Sequence, residues 1–307
     1  QTAQFTPYPL TDPTQPRPPG PPSEVVGFQE DADGRIWVAV NLGGLYVIET
    51  ANATVTPVEL PALSLGKPPP PPPGGRLPPP GGRPPPLGRL TAFASADDGQ
   101  FWVGYGNGQV LPVKPGQSPV AGEPLSFPGI SIETITSDQT NPDMPLLWLG
   151  TRNGLLRVEP ATGNNQRYTE RDGLPSSLIV GIQADGVGRL WLSTDKGLVR
   201  FDPTTGQFRT FDRADGLPGN EFAPHAAWRA PNGRLFFGGS AGVTAFDPQA
   251  ISDNRYQPPV LLTNLLLYNE PVRPGPSALL AAPIWATPQL TLHHDQAIVT
   301  FEFAALD

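Results

Sequence analysis

Apolar residues recur along this chain in short runs, each headed by one aromatic: GRIWVAV at Trp37, GQFWVGY at Trp102, PLLWLGT at Trp148, GRLWLST at Trp191 and GRLFFGG at Phe236. After each comes a second alternating segment around a glycine: NLGGLYVIE, GNGQVLPV, TRNGLLRVEP, TDKGLVRFDP and GSAGVTAFDP. Alternation with period two predicts half-buried strands, and the glycines at Gly44, Gly108, Gly154, Gly197 and Gly242 predict the tight turns between them. The dipeptides Asp33-Gly34, Asp98-Gly99 and Asn232-Gly233 predict a further turn before each aromatic strand, since Gly, Asn and Asp tolerate positive φ. Pro160–Gly163 and Pro203–Gly206 predict a third turn, leading to the outer strands QRYT and FRTF.

The five aromatics are 65, 46, 43 and 45 residues apart, and the first interval contains the 24-residue tract 66–89. Without the tract the period is near 43, the length of one four-stranded propeller blade. Helical repeats of that length exist, but the density of Gly and Pro forbids helices of useful length. Gly27, Ala92, Gly181 and Ala226 stand ten residues before their aromatics, where small side chains suit an innermost strand crowded around an axis. The third unit departs, with a longer turn, TSDQTNPDMP, and Pro145 in place of glycine. The aromatics then fill the wedges between blades, a core role.

Composition sharpens this reading. Proline is 43 and glycine 34 of 307 residues, at the edge of what packed chains carry. Residues 66–89 hold twelve of the prolines and have no apolar face; they predict a solvated low-complexity insertion, polyproline II broken by Gly-Gly joints. The remaining Pro and Gly punctuate the strands. A net charge of −8 offers nothing to a phosphate backbone, so nucleic acid is not an expected partner. The absence of cysteine removes disulfides, thiolate metal sites and cysteine catalysis. No uninterrupted apolar run reaches the ~18 residues of a membrane span, so any membrane contact is expected through segments outside these residues.

Within the repeat, Asp-Gly-Leu-Pro at Asp172–Pro175 and Asp215–Pro218, then a strand, then G-R-L-W, then K-G-L-x-R-F-D-P, resembles the two-component regulator propeller repeats. Those occur in extracytoplasmic sensor regions of hybrid histidine kinases. The tail segments PPVLLTNLLLYNEPV and LTLHHDQAIVTFEFAALD are similar to the opening of a Y_Y_Y domain, an immunoglobulin-like sandwich. The expected architecture is all-β: a propeller over residues 1–258 and an incomplete β-sandwich over 259–307. Five blade units are visible where the family usually builds seven. Two explanations stay open: a piece of a larger ring, which is favoured, or a five-bladed ring whose last outer strand is supplied by residues 3–8.

The resemblance implies a ligand-sensing region, periplasmic or extracellular, of a bacterial inner-membrane receptor. It would bind a small molecule or oligosaccharide, form a homodimer through the sandwich, and signal to a cytoplasmic histidine kinase. Rival readings are a diguanylate-cyclase receptor, a stand-alone binding or scaffold propeller, and, behind these, a propeller lyase or glycosidase.

Candidate chemistry is sparse. The chain has three histidines. His293 and His294 are adjacent, so in a strand they face opposite ways and cannot share a metal. His225 falls in a predicted innermost strand near Trp228 and Arg229, where a channel ligand could touch it, but a hydrogen-bonded or partly exposed structural histidine is the favoured reading. Asp31, Asp33, Asp97, Asp98 and Asp185 fall at turns, where local backbone bonding accounts for them. Glu133 and Asp138 read as less constrained. Arg167, Arg171, Arg209 and Arg213 suit either solvated strand edges or an anionic or sugar ligand. No catalytic residue, metal ligand or cofactor is assigned, and no ligand-binding residue is named; the segment is not expected to be an enzyme. Exposed loops between outer and inner strands, including TERDGLPSSL, DRADGLPGNEF and PGQSPVAGEPLSFPGI, are the expected recognition face.

Overall fold

A computed structural model of the chain describes residues 24–42, 44–60, 88–96, 98–116, 119–138, 145–252, 260–276 and 278–305. The segment 3–8, most of the proline tract, and Asp97 lie outside them. Two compact units divide the chain, Gln1–Ala250 and Ile251–Asp307.

The first unit is a set of antiparallel meanders in chain order. Blade one is β1 (Val25–Glu30), β2 (Ile36–Val40), β3 (Gly44–Glu49) and β4 (Thr54–Val58). Blade two is β5 (Leu90–Ser95), β6 (Phe101–Tyr105) and β7 (Gln109–Lys114), with an outer strand in two pieces, β8 (Val120–Ala121) and β9 (Leu125–Ser126). Blade three is β10 (Ile132–Asp138), β11 (Leu146–Thr151), β12 (Gly154–Val158) and β13 (Asn165–Tyr168). Blade four is β14 (Ile179–Ala184), β15 (Leu190–Thr194), β16 (Gly197–Asp202) and β17 (Gln207–Phe211). Blade five has three described strands, β18 (Phe222–Arg229), β19 (Leu235–Gly239) and β20 (Gly242–Phe246). The innermost strands neighbour one another in the order β1, β5, β10, β14, β18. This is the propeller arrangement expected from the repeat.

The turns form where the glycines stand. Gly34, Gly99 and Gly233 all have positive φ, as do the five hairpin glycines from Gly44 to Gly242. The Asp-Gly-Leu-Pro motif also has a mechanical account. Thr169 and Asp172 form a reciprocal capping box around a 3-10 turn, Glu170–Asp172, closed by Gly173 at φ 115. Asp212, Asp215 and Gly216 repeat it. Each box carries the chain from an outer strand to the next inner strand.

Packing follows the aromatic heads. Trp37 meets Phe101 of the next blade at 5.1 Å, Trp148 meets Phe201 at 5.6 Å, and Trp191 meets Phe246 at 4.6 Å. Trp37, Trp148 and Trp191 are fully buried, so each is a wedge filler between blades. The crowding near the axis is literal at Gly104, where a Cβ would lie 2.9 Å from the side chains of Ala92, Ile132 and Ile135.

One expectation needs correcting here. The segment around Val120 and Leu125 is not simply a recognition loop: both pieces pair with β7, and Gly122-Glu123-Pro124 splits what is a continuous outer strand elsewhere. Proline cannot donate to the ladder, which explains the interruption.

The second unit contains an antiparallel sheet of β21 (Val260–Leu267), β22 (Glu270–Pro271) and β23 (Val299–Ala305), in the order β22-β21-β23. Tyr268 and Asn269 both take positive φ, as a two-residue hairpin turn requires. Leu265, Leu280 and Ile284 form its core. His293 and His294 are in a turn rather than a strand: His293 N–H donates to Gln296 Oε1 at 2.8 Å, and Gln296 N–H donates back to the His293 carbonyl at 3.0 Å. The opposite-face argument therefore does not apply to them. No helix among the described residues is long and apolar enough to cross a membrane.

Candidate functional site: the inner-strand channel

The innermost strands of all five blades line one cavity of about 970 Å3. That lies within the ~300–1,000 Å3 typical of small-molecule sites. Its wall is rich in amides and hydroxyls. Ser95 Oγ donates to Gln29 Oε1 at 3.0 Å, and Gln183 Nε2 donates to the Ala227 carbonyl at 3.1 Å. Two aromatic side chains on the same wall are exposed, Phe28 at 70% and Trp228 at 57%.

A register irregularity aligns the ends of these strands. In β1, β5, β10 and β14 one extra residue is inserted near the start, at Val26, Thr91, Glu133 and Val180. Such bulges re-aim a side chain out of the pleat. In β18 the irregularity spans Phe222 to Ala227, which face Gly239 and Phe237, so several residues bulge together. His225 lies within it at φ 59, a left-handed conformation uncommon for any residue but Gly. Val26, Glu133, Val180 and His225 all line the cavity.

Glu133 is the buried acid of this ring, 8% exposed. It accepts from Ser131 Oγ at 2.9 Å and from Arg152 Nε at 2.7 Å. Glu24, just before β1, is likewise paired, with Arg89 at 3.0 Å and Asn41 Nδ2 at 3.2 Å. Burial pushes the His225 imidazole below its ordinary pKa; Glu133 and Glu24 pull it up, and Arg89 pushes it down. Groups from blades one, two and three therefore act on the imidazole of blade five. The capping-box loops lead into β14 and β18 at their bulged ends.

Two sequence expectations change. Glu133 is tightly held rather than less constrained, and Asp138 faces the indole of Trp148, whose Nε1 donates to it at 3.5 Å. Asp138 is the third blade's version of a device seen in blades one and four. Asp31 accepts from the backbone of Asp33 and Arg35, from Arg35 Nε at 2.8 Å and from Trp37 Nε1 at 2.7 Å. Asp185 does the same with Val187, Arg189 and Trp191. Burial raises the Asp31 carboxyl, but the bonds from Trp37, Arg35 and Asp33 outweigh it and hold the group below its ordinary value. Asp98 accepts from Gln100 N–H. These turn acids are structural, and none of Asp31, Asp98 or Asp185 lines the channel cavity. The long turn of the third unit hid Asp138 from the spacing.

The four arginines stay apart from the cavity. Arg167 and Arg209 lie on outer strands, and Arg171 and Arg213 on the capped turns. Arg209 covers the Phe211 ring at 4.5 Å. A second crevice of about 930 Å3 lies over Trp148 and Tyr168 between blades three and four, with Arg157, Arg189 and Asp202 on its wall. No sequence signal pointed to it. Among the described residues no three His, Asp or Glu side chains come together as a metal site.

The fold and channel define the chain as a β-propeller followed by a small β unit. No family model matches it. Over 86 residues, 28% of this chain, it is 36% identical to Histidine kinase P4 of Formosa agariphila. Among solved structures it is similar to the extracellular domain of the hybrid two-component system BT3049 of B. thetaiotaomicron, with TM-score 0.61 and 22% identity over 92% of this chain. It is also similar in fold to virginiamycin B lyase of Staphylococcus aureus, with TM-score 0.50 and 14% identity, over 77% of this chain and 73% of that one. The resemblance to sensor propellers carried by the repeat is thus met in both a sequence relative and a structural one. The chain spans 6% of the kinase and 35% of the BT3049 domain.

Proposed function

We propose that the chain is part of the extracytoplasmic sensing region of a two-component receptor, located in the periplasm or outside the cell. It binds a small molecule or oligosaccharide, and the small β unit passes the change to a homodimeric receptor with a cytoplasmic histidine kinase. The observation that carries this reading is the identity with Histidine kinase P4, which falls on a chain whose fold is that of a two-component extracellular domain. Amide and hydroxyl groups beside exposed Trp228 and Phe28 supply what a sugar ring needs, hydrogen bonds at its rim and an apolar face beneath it.

The test uses the product of the whole gene in membrane vesicles, supplied with ATP and a panel of neutral and acidic oligosaccharides. One member of the panel is expected to change autophosphorylation, and the same member to bind the 307-residue chain without being cleaved. Release of shortened or unsaturated sugar by the chain would replace sensing with glycosidase or lyase chemistry. An effector that makes cyclic dinucleotide from GTP would keep the sensing role but change the output.

A further inference from the structure

We infer that the ring of inner-strand bulges is the hydrogen-bonding subsite of the channel, with Glu133 and His225 as its working groups, and that it takes a neutral, hydroxyl-rich ligand. This rests on the ligand-sensing reading and goes further by naming residues and charge class.

Four blades share the one-residue bulge, but only blade three places an ionisable side chain on it. Blade five supplies the other ionisable group by a larger irregularity, and holds it there at φ 59. A left-handed conformation at a non-glycine residue is costly and persists where the surroundings impose it, which is common at ligand sites. Glu133 is fixed before any ligand arrives by Ser131 and Arg152, so it presents a preorganised acceptor.

Charge decides the ligand class. Each of the two acids at the bulged end, Glu133 and Glu24, already has an arginine partner, and the other arginine on the cavity wall, Arg229, stands at the far end of β18. At this end an anionic sugar would meet the Glu133 carboxylate; a cationic ligand would compete with Arg152 for it. Neutral hydroxyls avoid both costs: they donate to the carboxylate and exchange hydrogen bonds with the imidazole.

The experiment is calorimetric titration of the 307-residue chain with neutral oligosaccharides (cello-, xylo-, manno- and arabino-) and with acidic ones (galacturonate oligomers and heparin fragments). The variants are Glu133→Gln, His225→Ala and, as a control on the exposed end of β7, Lys114→Ala. A neutral oligosaccharide is expected to bind the parent, and each of the first two variants to weaken it by about tenfold, the value of one charge-assisted hydrogen bond; the control should leave it unchanged. If a variant melts early, the imidazole C2 proton of His225 in the parent serves instead, assigned by its loss in His225→Ala, and it should shift on ligand addition. Unchanged neutral binding in both variants with an unmoved His225 resonance overturns the site while leaving sensing intact. Tighter binding of an acidic oligosaccharide than of any neutral one overturns the ligand class. No binding of either set to the parent removes both this inference and the oligosaccharide reading.

Discussion

Blades four and five begin from nearly the same words, GRLWLST and GRLFFGG, yet they are packed very differently. Both hairpins have the same register, with Thr194 opposite Gly197 and Gly239 opposite Gly242. In blade four, Trp191 is 1% exposed, enclosed by Phe211 of its own outer strand and Phe246 of the next blade. In blade five, Phe236 has Trp228 as its described aromatic neighbour, and Val243 on the edge strand is 66% exposed. The motif therefore encodes the hairpin, while burial comes from the fourth strand and the following blade. A second difference points the same way. At the end of the inner strand, Asp185 binds the indole N–H of Trp191, whereas Ala230 holds that place before Phe236, whose ring has no N–H to satisfy.

The sharpest way to break this comparison is to truncate the two tryptophans. Trp191→Ala should cost about 3–5 kcal/mol in urea unfolding, and Trp228→Ala less than about 1 kcal/mol. Equal losses would show that blade five is as enclosed as blade four. Next comes the turn device. Asp185→Ala removes the acceptor for two backbone N–H groups, the Arg189 guanidinium and an indole, and should cost about 2–4 kcal/mol. Asn232→Ala loses one bond, to Arg234 N–H, and should cost about 0.5–1 kcal/mol.

Blade two offers the opposite case, an interior group that burial does not help. Tyr105 is buried, and its hydroxyl has no hydrogen-bond partner among the described residues. Tyr105→Phe should therefore be neutral or stabilise by about 1 kcal/mol. Burial pushes the Tyr105 pKa up to about 12. Its folded value exceeds the unfolded one, so its contribution is intact below pH 10 and is lost as pH climbs from 10 toward 12. Unfolding midpoints across that interval should fall less steeply in Tyr105→Phe.

The smallest effect belongs to His225. Its folded pKa lies below the ordinary value of 6.5, so the unfolded chain binds the proton first and stability declines as pH drops below that value. His225→Gln should flatten that slope slightly, measured by thermal melts between pH 7 and pH 5.

Much of the architecture was legible because it is written locally. The aromatic heads, the glycine turns and the period near 43 depend on a few adjacent residues, and all five hairpins follow them. What the sequence did not reveal depends on neighbours distant in the chain. The bulge at Glu133 is a matter of register between β10 and β11, and the guanidinium that holds it comes from Arg152, beyond the next strand. The strained His225 follows from how β18 meets β19. The pairing of Asp138 with Trp148 escaped notice because the indole stands ten residues on instead of six. The split outer strand of blade two was missed because Val120 and Leu125 flank a sequence that reads as loop.

The consecutive pairing of the first three strands within each blade bears on how the chain acquires its structure. Every hairpin closes on residues just synthesised, so strands can pair as they leave the ribosome, while the aromatic heads wait for the next blade to bury them. The connection from β4 to β5, residues 59–89, is the one long closure between blades one and two. Loop entropy grows only with the logarithm of length, about 0.6 kcal/mol per doubling, so residues 66–89 add about 1 kcal/mol over the bare seven-residue link. The proline tract thus falls, in sequence, between two blades, where no strand of either has to be interrupted.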